Sequence, residues 1–296
     1  MTTASPLATQ AASGPSLREA YQWCRAYARA RQENFTVVSW FLPRDLRPHF
    51  FALYAFCRWT DDLGDEAEGD RLALLDGWEA DLRACFAGSR SAPLFVALGA
   101  TIDRFRIPQE PFLRLIEANR MDQRITRFET YADLLRYCEH SATPVGRMVL
   151  AVLGYADEER GRLADAICIG LQLANFWQDV SVDLRKGRVY LPQEDLRRFG
   201  YTEDELRRGV VNDAFRALMR FEVERARELT GRGRALEALI DRRSRLDVRL
   251  FRLGGEATLD AIEAAGYDVL SRRPRVPKWR KAWLASINGA RLKLGL

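Results

Sequence analysis

The chain is 296 residues long, 47% hydrophobic and formally charged at +5, so it can bury a full core and carries only a mild basic excess. Its five cysteines (Cys24, Cys57, Cys85, Cys138, Cys168) form no CxxC pair and its two histidines are His49 and His140, which argues against a disulfide framework, a thiolate zinc site or a histidine-rich metal centre. No apolar run reaches the roughly 18 residues of a transmembrane helix, any metal must find oxygen ligands, and a reducing, cytoplasmic setting is expected.

Residues 1–15, MTTASPLATQAASGP, have neither a charged n-region nor an apolar h-region and read as a loose tail rather than a signal peptide. Residues 16–296 read as one domain, because no linker-like stretch interrupts them. Helical periodicity dominates and no succession of alternating strands occurs, so the fold class is all-α. Helices are predicted over residues 16–33, 43–66, 71–86, 93–105 and 108–119, several opening with a proline. They continue over 130–153, 157–185, 202–208, 212–230, 234–252, 256–271 and 277–291, separated by short Gly, Pro or Asp punctuation.

Within the second helix, LYAFCRWTDDLGDE (residues 53–66) places Tyr54, Arg58, Asp61 and Asp65 within about 60° of one another, with Asp62 at the edge. Gly64 inside this cluster marks either an early helix end or a close approach by ligand or backbone. The helix over 157–185 repeats the pattern. Its stretch DAICIGLQLANFW is apolar almost all round, the sign of a buried helix, yet Gln172, Asn175, Asp179 and Asp183 share one stripe about 80° wide, with Gln178 somewhat off it. Such a stripe is very costly against hydrocarbon, so it must face water, cations or both.

Aspartates four residues apart can bind one hard cation or bridge two. Magnesium fits, since it takes oxygen ligands and completes its shell with water and phosphate oxygens, and Arg58, Lys186 and Arg188 can neutralise further phosphate charge. A single DxxxD is ordinarily a solvated helix face; two copies, each in an apolar helix and each with an amide, Tyr or Arg beside it, point to a metal–diphosphate site. The aromatics Phe35, Trp40, Phe51, Phe56 and Phe176 are read mainly as core, with cation stabilisation as the alternative.

From Ser271 onward the chain carries Arg272, Arg273, Arg275, Lys278, Arg280, Lys281, Arg291 and Lys293 with no acidic residue, interleaved with Val276, Trp279, Trp283, Leu284 and Ile287. This tail reads either as a helix docked on the body or as a peripheral contact with anionic lipid at the inner face of the membrane; nucleic acid is a weaker third reading and is not expected.

The stretches FLPRDLRPHFFALYAFCRWTDDLGDE and LQLANFWQDVSVDLRKGRVYLP resemble, in order and spacing, signatures of the squalene and phytoene synthase family, and similarity extends over about residues 17–284. The resemblance implies the class I isoprenoid synthase fold, a helical bundle around a central active-site cavity. It implies that Asp61 and Asp65, with Asp62 beside them, form one magnesium cluster, and that Asp179 and Asp183, preceded by the amide of Asn175, form the other. Tyr54, Arg58, Arg188 and Tyr190 match positions near the diphosphate, and Gln32 and Asn34 lie in an N-terminal segment that members use around the phosphates. Gln172 and Gln178 are further candidates.

One stretch departs from the family pattern. In YCEHSATPVGRMVL (residues 137–150), Glu139 and His140 stand where many members carry an aromatic-containing stretch followed by Ala-Gly. Together with ENF at residues 33–35 and FWQDVSVD, SATPVGR resembles the bacterial hydroxysqualene synthases of hopanoid biosynthesis, which take preformed presqualene diphosphate and need no NADPH. Glu139 and His140 are then candidates to position the capturing water; alternatively they only hydrogen-bond around the Pro144 kink. Two other readings stand beside this one: head-to-head condensation of two prenyl diphosphates, and a non-catalytic helical module binding membrane or nucleic acid through its tail.

Overall fold

The computed structural model describes residues 14–31 and 42–277. Its first five helices are α1 (Leu17–Ala30), α2 (Arg47–Asp65), α3 (Arg71–Phe86), α4 (Pro93–Phe105) and α5 (Glu110–Met121). Then come α6 (Tyr131–Ser141), α7 (Thr143–Val152), α8 (Glu158–Arg185), α9 (Gln193–Arg198) and α10 (Glu203–Arg207). The last are α11 (Asp213–Arg232), α12 (Leu236–Leu239) and α13 (Arg242–Ala264), with a 3₁₀ turn over Gly233–Ala235. Among the described residues there is no β-strand, only an isolated parallel bridge between Arg127 and Val189, so the all-α class holds.

Local chemistry explains the helix starts. Ser16, Thr130 and Thr202 each close a capping box with the acid three residues on, opening α1, α6 and α10. Asp70, Asp157 and Asn212 cap α3, α8 and α11 with one side-chain acceptor each. The predicted helices over 71–86 and 93–105 have the observed bounds.

Three predicted elements differ. The helix expected over 130–153 is two helices, because Pro144 has no N–H to continue the ladder; it sits in the first turn of α7, and the chain breaks at Ala142. The two helices expected over 234–252 and 256–271 are replaced by the 3₁₀ turn, α12 and an uninterrupted α13. The Gly254–Gly255 pair does not break α13, since Gly255 is where it crosses α8: a Cβ there would lie 2.3 Å from a methyl of Leu171. Helix α9 escaped prediction, being only 6 residues long and without a period to read. The tail expected over 1–15 and the helix over 277–291 fall, apart from Gly14, Pro15 and Pro277, outside the described residues.

Helix α8, 28 residues long, is the central element: it packs against α6, α7, α11, α12 and α13. Trp177 at its middle is wholly buried and donates its indole N–H to Glu222 O in α11 at 3.1 Å. The N-terminal helices surround an aromatic cluster in which Trp78 lies 5.5 Å from Phe56 and 4.8 Å from Phe95, ring centroid to centroid. Phe56 and Phe176 are buried core residues and Phe51 is half-buried, whereas Phe35 and Trp40 lie outside the described residues. All five cysteines are free, and His49 is buried in a hydrogen-bond set with Tyr21 and Thr101. Among the described residues no helix is long and apolar enough to cross a membrane. Replacing Trp177 with alanine is expected to lower stability by about 3–5 kcal/mol, read as a lower urea midpoint with the circular-dichroism helix signal retained before the transition.

Candidate active site at the facing acidic helices

The last turns of α2 and α8 meet. Asp65, at the end of α2, receives Arg188 at 2.8 Å and Lys186 at 3.1 Å, both from the segment that leaves α8. That segment reverses directly after α8, with Arg188 N donating to Asp183 O, and is held by backbone bonds from Val189 N to Thr126 O and Gln193 N to Phe128 O. Burial opposes ionisation of Asp65, but Arg188 and Lys186 outweigh it and hold the carboxyl below its usual range.

The other carboxylates of α2 have different surroundings. Asp61 accepts from Asn119 Nδ2 of α5 at 3.3 Å. Asp62, about 100° further round the helix, is turned to α1, where it accepts from Tyr27 Oη at 2.7 Å and pairs with Arg31 at 2.8 Å. Arg58 of its own helix reaches Asp62 at 2.8 Å and Glu66 at 2.7 Å. Asp62 therefore ties α1 to the site and orients Arg58. Tyr54 is half-buried two turns before Asp61 on the same face.

On α8, Asp179 is clasped by Arg273, whose Nε and Nη2 reach the two carboxylate oxygens, the latter at 2.9 Å. Gln178 is buried and committed to the same segment: its Nε2 donates to Pro274 O at 2.9 Å and its Oε1 accepts from Arg273 at 3.2 Å. The described start of the basic tail thus folds back on the body. Asp183 has no ion pair among the described residues; burial first, and then the Asp179 charge, push its carboxyl up to about 7, with Lys186 and Arg188 opposing. Gln172 and Asn175 are half-buried earlier on this stripe.

A third group was not legible in the sequence. Asp122, which ends α5, accepts from Tyr137 of α6 at 2.9 Å and from Tyr190 at 3.4 Å. Burial pushes its carboxyl up to about 6, with Arg188 pulling the other way. Tyr190 in turn stacks on Phe176 of α8, ring centroids 3.8 Å apart. Asp122 belongs to no helical stripe, and the only hint of it is its place directly after an amphipathic helix. Asn119 and Arg273 were missed as site residues for the same reason: their partners are distant in sequence.

The structure therefore brings Asp65, Asp183, Lys186, Arg188 and Tyr190 together, with Asp61 and Asp179 on the adjoining turns. It does not join Glu139 and His140 to them: Glu139 is exposed, its carbonyl accepts from Thr143 Oγ1 at 2.8 Å, and His140 Nδ1 lies 3.0 Å from Arg136 O. Gln32 and Asn34 lie outside the described residues. Among the described residues no three carboxylate, thiolate or imidazole groups form a ready-made metal cluster. Sparse oxygen donors on two facing helices, one of them the half-buried Asp183 with no ion pair among the described residues, nonetheless fit a hard cation that draws its remaining ligands from water and phosphate.

Known proteins resemble the chain over most of its length. The squalene/phytoene synthase family model matches residues 28–280. A 15-cis-phytoene synthase of Synechococcus elongatus is 35% identical over 280 residues, covering 90% of this chain and 91% of its own. The crystal structure of squalene synthase HpnC from Alicyclobacillus acidocaldarius is 51% identical, with a TM-score of 0.82 over 85% of this chain and 96% of that one. A dehydrosqualene synthase solved in complex with ligand is 26% identical, with a TM-score of 0.87 over 94% and 98%. With a family model spanning most of its length and the fold of two solved synthases, the chain belongs to the squalene/phytoene synthase family.

Proposed function

We propose that the protein is a hydroxysqualene synthase, a magnesium-dependent carbon–oxygen lyase acting on presqualene diphosphate, carried by a single domain from residue 16 onward. The observation that carries this reading is the approach of Asp65 of α2 to Lys186 and Arg188 just after α8, with Asp183 close enough to feel the Asp65 charge. The 51% identity to the squalene synthase HpnC supports the choice of substrate over the rest of the family. The ester C–O bond breaks with its electron pair leaving on diphosphate, the cyclopropylcarbinyl cation rearranges, and water adds and loses a proton, so no hydride donor is required.

Asp61, Asp65, Asp179, Asp183 and Asn175 are the residues assigned to hold magnesium, which when bound neutralises the diphosphate and weakens its ester bond. Arg58, Lys186 and Arg188 take charge developing on the leaving group, with Tyr54, Tyr190, Gln172 and the segment of Gln32 and Asn34 around it. Arg273 neutralises Asp179 in the metal-free protein and would have to yield that carboxylate to a bound cation. Glu139 and His140 lie apart from the acidic helices, with Glu139 exposed, and are proposed to position the water as the alternative to a purely structural role at the α6–α7 break. A second reading, condensation of two prenyl diphosphates, is favoured by the phytoene synthases among the relatives, one of them 35% identical. A cytoplasmic protein with peripheral contact at the inner membrane face is proposed, because the basic and tryptophan residues of the tail beyond Pro277 suit an anionic interface and the C30 product is water-insoluble.

Incubation with magnesium and no NADPH is expected to convert presqualene diphosphate to the C30 alcohol and to leave farnesyl diphosphate unchanged; conversion of farnesyl diphosphate alone sinks the proposal. In the same assay Glu139→Gln and His140→Ala should shift product away from the alcohol, and unchanged turnover to alcohol removes them from the mechanism. Because Asp183 titrates at about 7 without metal and coordinates as the carboxylate, magnesium binding should release protons below pH 7 and tighten as pH rises, levelling off above it. The sign follows from a raised carboxyl: its stabilising effect on the metal-free fold is present at low pH and lost as pH climbs through about 7. Calorimetry in two buffers of different ionisation enthalpy reads the proton count. Truncation before Lys278, which spares Arg273, is expected to abolish sedimentation with anionic liposomes; full retention excludes the tail as the contact.

A further inference from the structure

We propose that Asn119, packed against Gly64, is a positioning residue that fixes the orientation of the Asp61 carboxylate; the inference rests on the reading of Asp61 as a metal ligand given above. Asn119 lies near the end of α5, only 7% exposed. Its Nδ2 donates to Asp61 Oδ1 at 3.3 Å and to Leu115 O of its own helix at 3.1 Å. Both neighbours are acceptors, so the amide has one sensible orientation, with nitrogen toward Asp61 and oxygen away from it.

The oxygen end lies against α2. A Cβ on Gly64 would meet Asn119 Oδ1 at 2.2 Å and Cγ at 3.0 Å, so no larger residue fits there while Asn119 keeps its place. This accounts for a glycine in the last turn of α2, where it is less favourable than alanine. Gln123, one turn on, completes the contact by donating Nε2 to Gly64 O at 2.9 Å and to Asn119 O at 3.0 Å. The end of α5 is itself anchored to α3, since Arg120 reaches Asp76 at 2.6 Å and Glu79 at 2.7 Å. The turn of α2 that carries Asp61 and Asp65 is thereby pinned to a fixed neighbour. A donor on one carboxylate oxygen leaves the other aimed in one direction, which lowers the ordering cost when a cation arrives.

The test is calorimetric titration of magnesium with inorganic diphosphate into the full chain, with thermal unfolding of each metal-free variant in parallel. Asn119→Leu keeps the branched outline, though it is somewhat larger, and removes the donor; affinity is expected to fall roughly 10- to 100-fold with a much smaller change in melting midpoint than Gly64→Ala causes. Gly64→Ala is expected to lower both. The double variant Gly64→Ala, Asn119→Ala makes room for the methyl group and should recover the midpoint without the affinity, and it supplies the answer if Asn119→Leu does not fold. Asp61→Asn separates this inference from the one beneath it. Wild-type affinity in Asp61→Asn removes Asp61 as a ligand, and the positioning role with it. Lost affinity in Asp61→Asn together with wild-type affinity in Asn119→Leu, or with restored affinity in the double variant, overturns the positioning role alone and leaves the contact as helix packing.

Discussion

The structure is organised by the need to compensate carboxylates set on two largely buried helices. An ionised carboxyl withdrawn from water is strongly disfavoured unless a cation or several donors face it. Four different elements supply those partners. Helix α1 brings Tyr27 and Arg31 to Asp62, the segment after α8 brings Lys186 and Arg188 to Asp65, and the chain after α13 brings Arg273 to Asp179, while α5 brings Asn119 to the more exposed Asp61. Of the site carboxyls, Asp183 and Asp122 have no ion pair among the described residues, and theirs are pushed up, to about 7 and about 6.

That distribution matters for chemistry. A site compensated everywhere by fixed arginines has no use for a metal, whereas one uncompensated everywhere does not hold its carboxylates ionised near neutral pH. Here Asp65 is held below the usual carboxyl range while Asp183 is pushed up, so on the proposed reading charge brought by metal and diphosphate would enter a partly balanced field rather than an empty one. Arginine at the margins, in Arg58, Arg188 and Arg273, suits this, because its planar fork binds carboxylate and phosphate oxygens alike.

Rigidity comes from the packing behind the site. Helix α8 is wedged between α7 on one side and α11 and α13 on the other, with Trp177 buried at its middle. The bridge between residues 126–128 and 189–193 fixes where the chain leaving α8 returns, and so where Arg188 and Tyr190 stand. The α6–α7 break, where Pro144 interrupts the ladder, falls in the stretch whose sequence departs from the family pattern.

Much of this was legible in the chain. Helical period exposed α2 and α8, and the i, i+4 aspartates on otherwise apolar faces announced a site, because regular spacing along one helix translates directly into a shared face. Proline announced a kink at residue 144 but not a full break between α6 and α7, and the Gly254–Gly255 pair misled, since a glycine can serve helix crossing as well as helix ending. Gly64 left two readings open until its neighbour was known. By itself the sequence determined the fold class, the two acidic stripes and the family resemblance, all of which rest on local periodicity and order. Only the tertiary structure decided that Asp62 faces α1, that Arg273 clasps Asp179, that Asp122 joins Tyr137 and Tyr190, and that Asn119 occupies the space a side chain at Gly64 would need. Each of those depends on which distant elements the packed core brings within hydrogen-bonding reach, and no spacing along one helix encodes that.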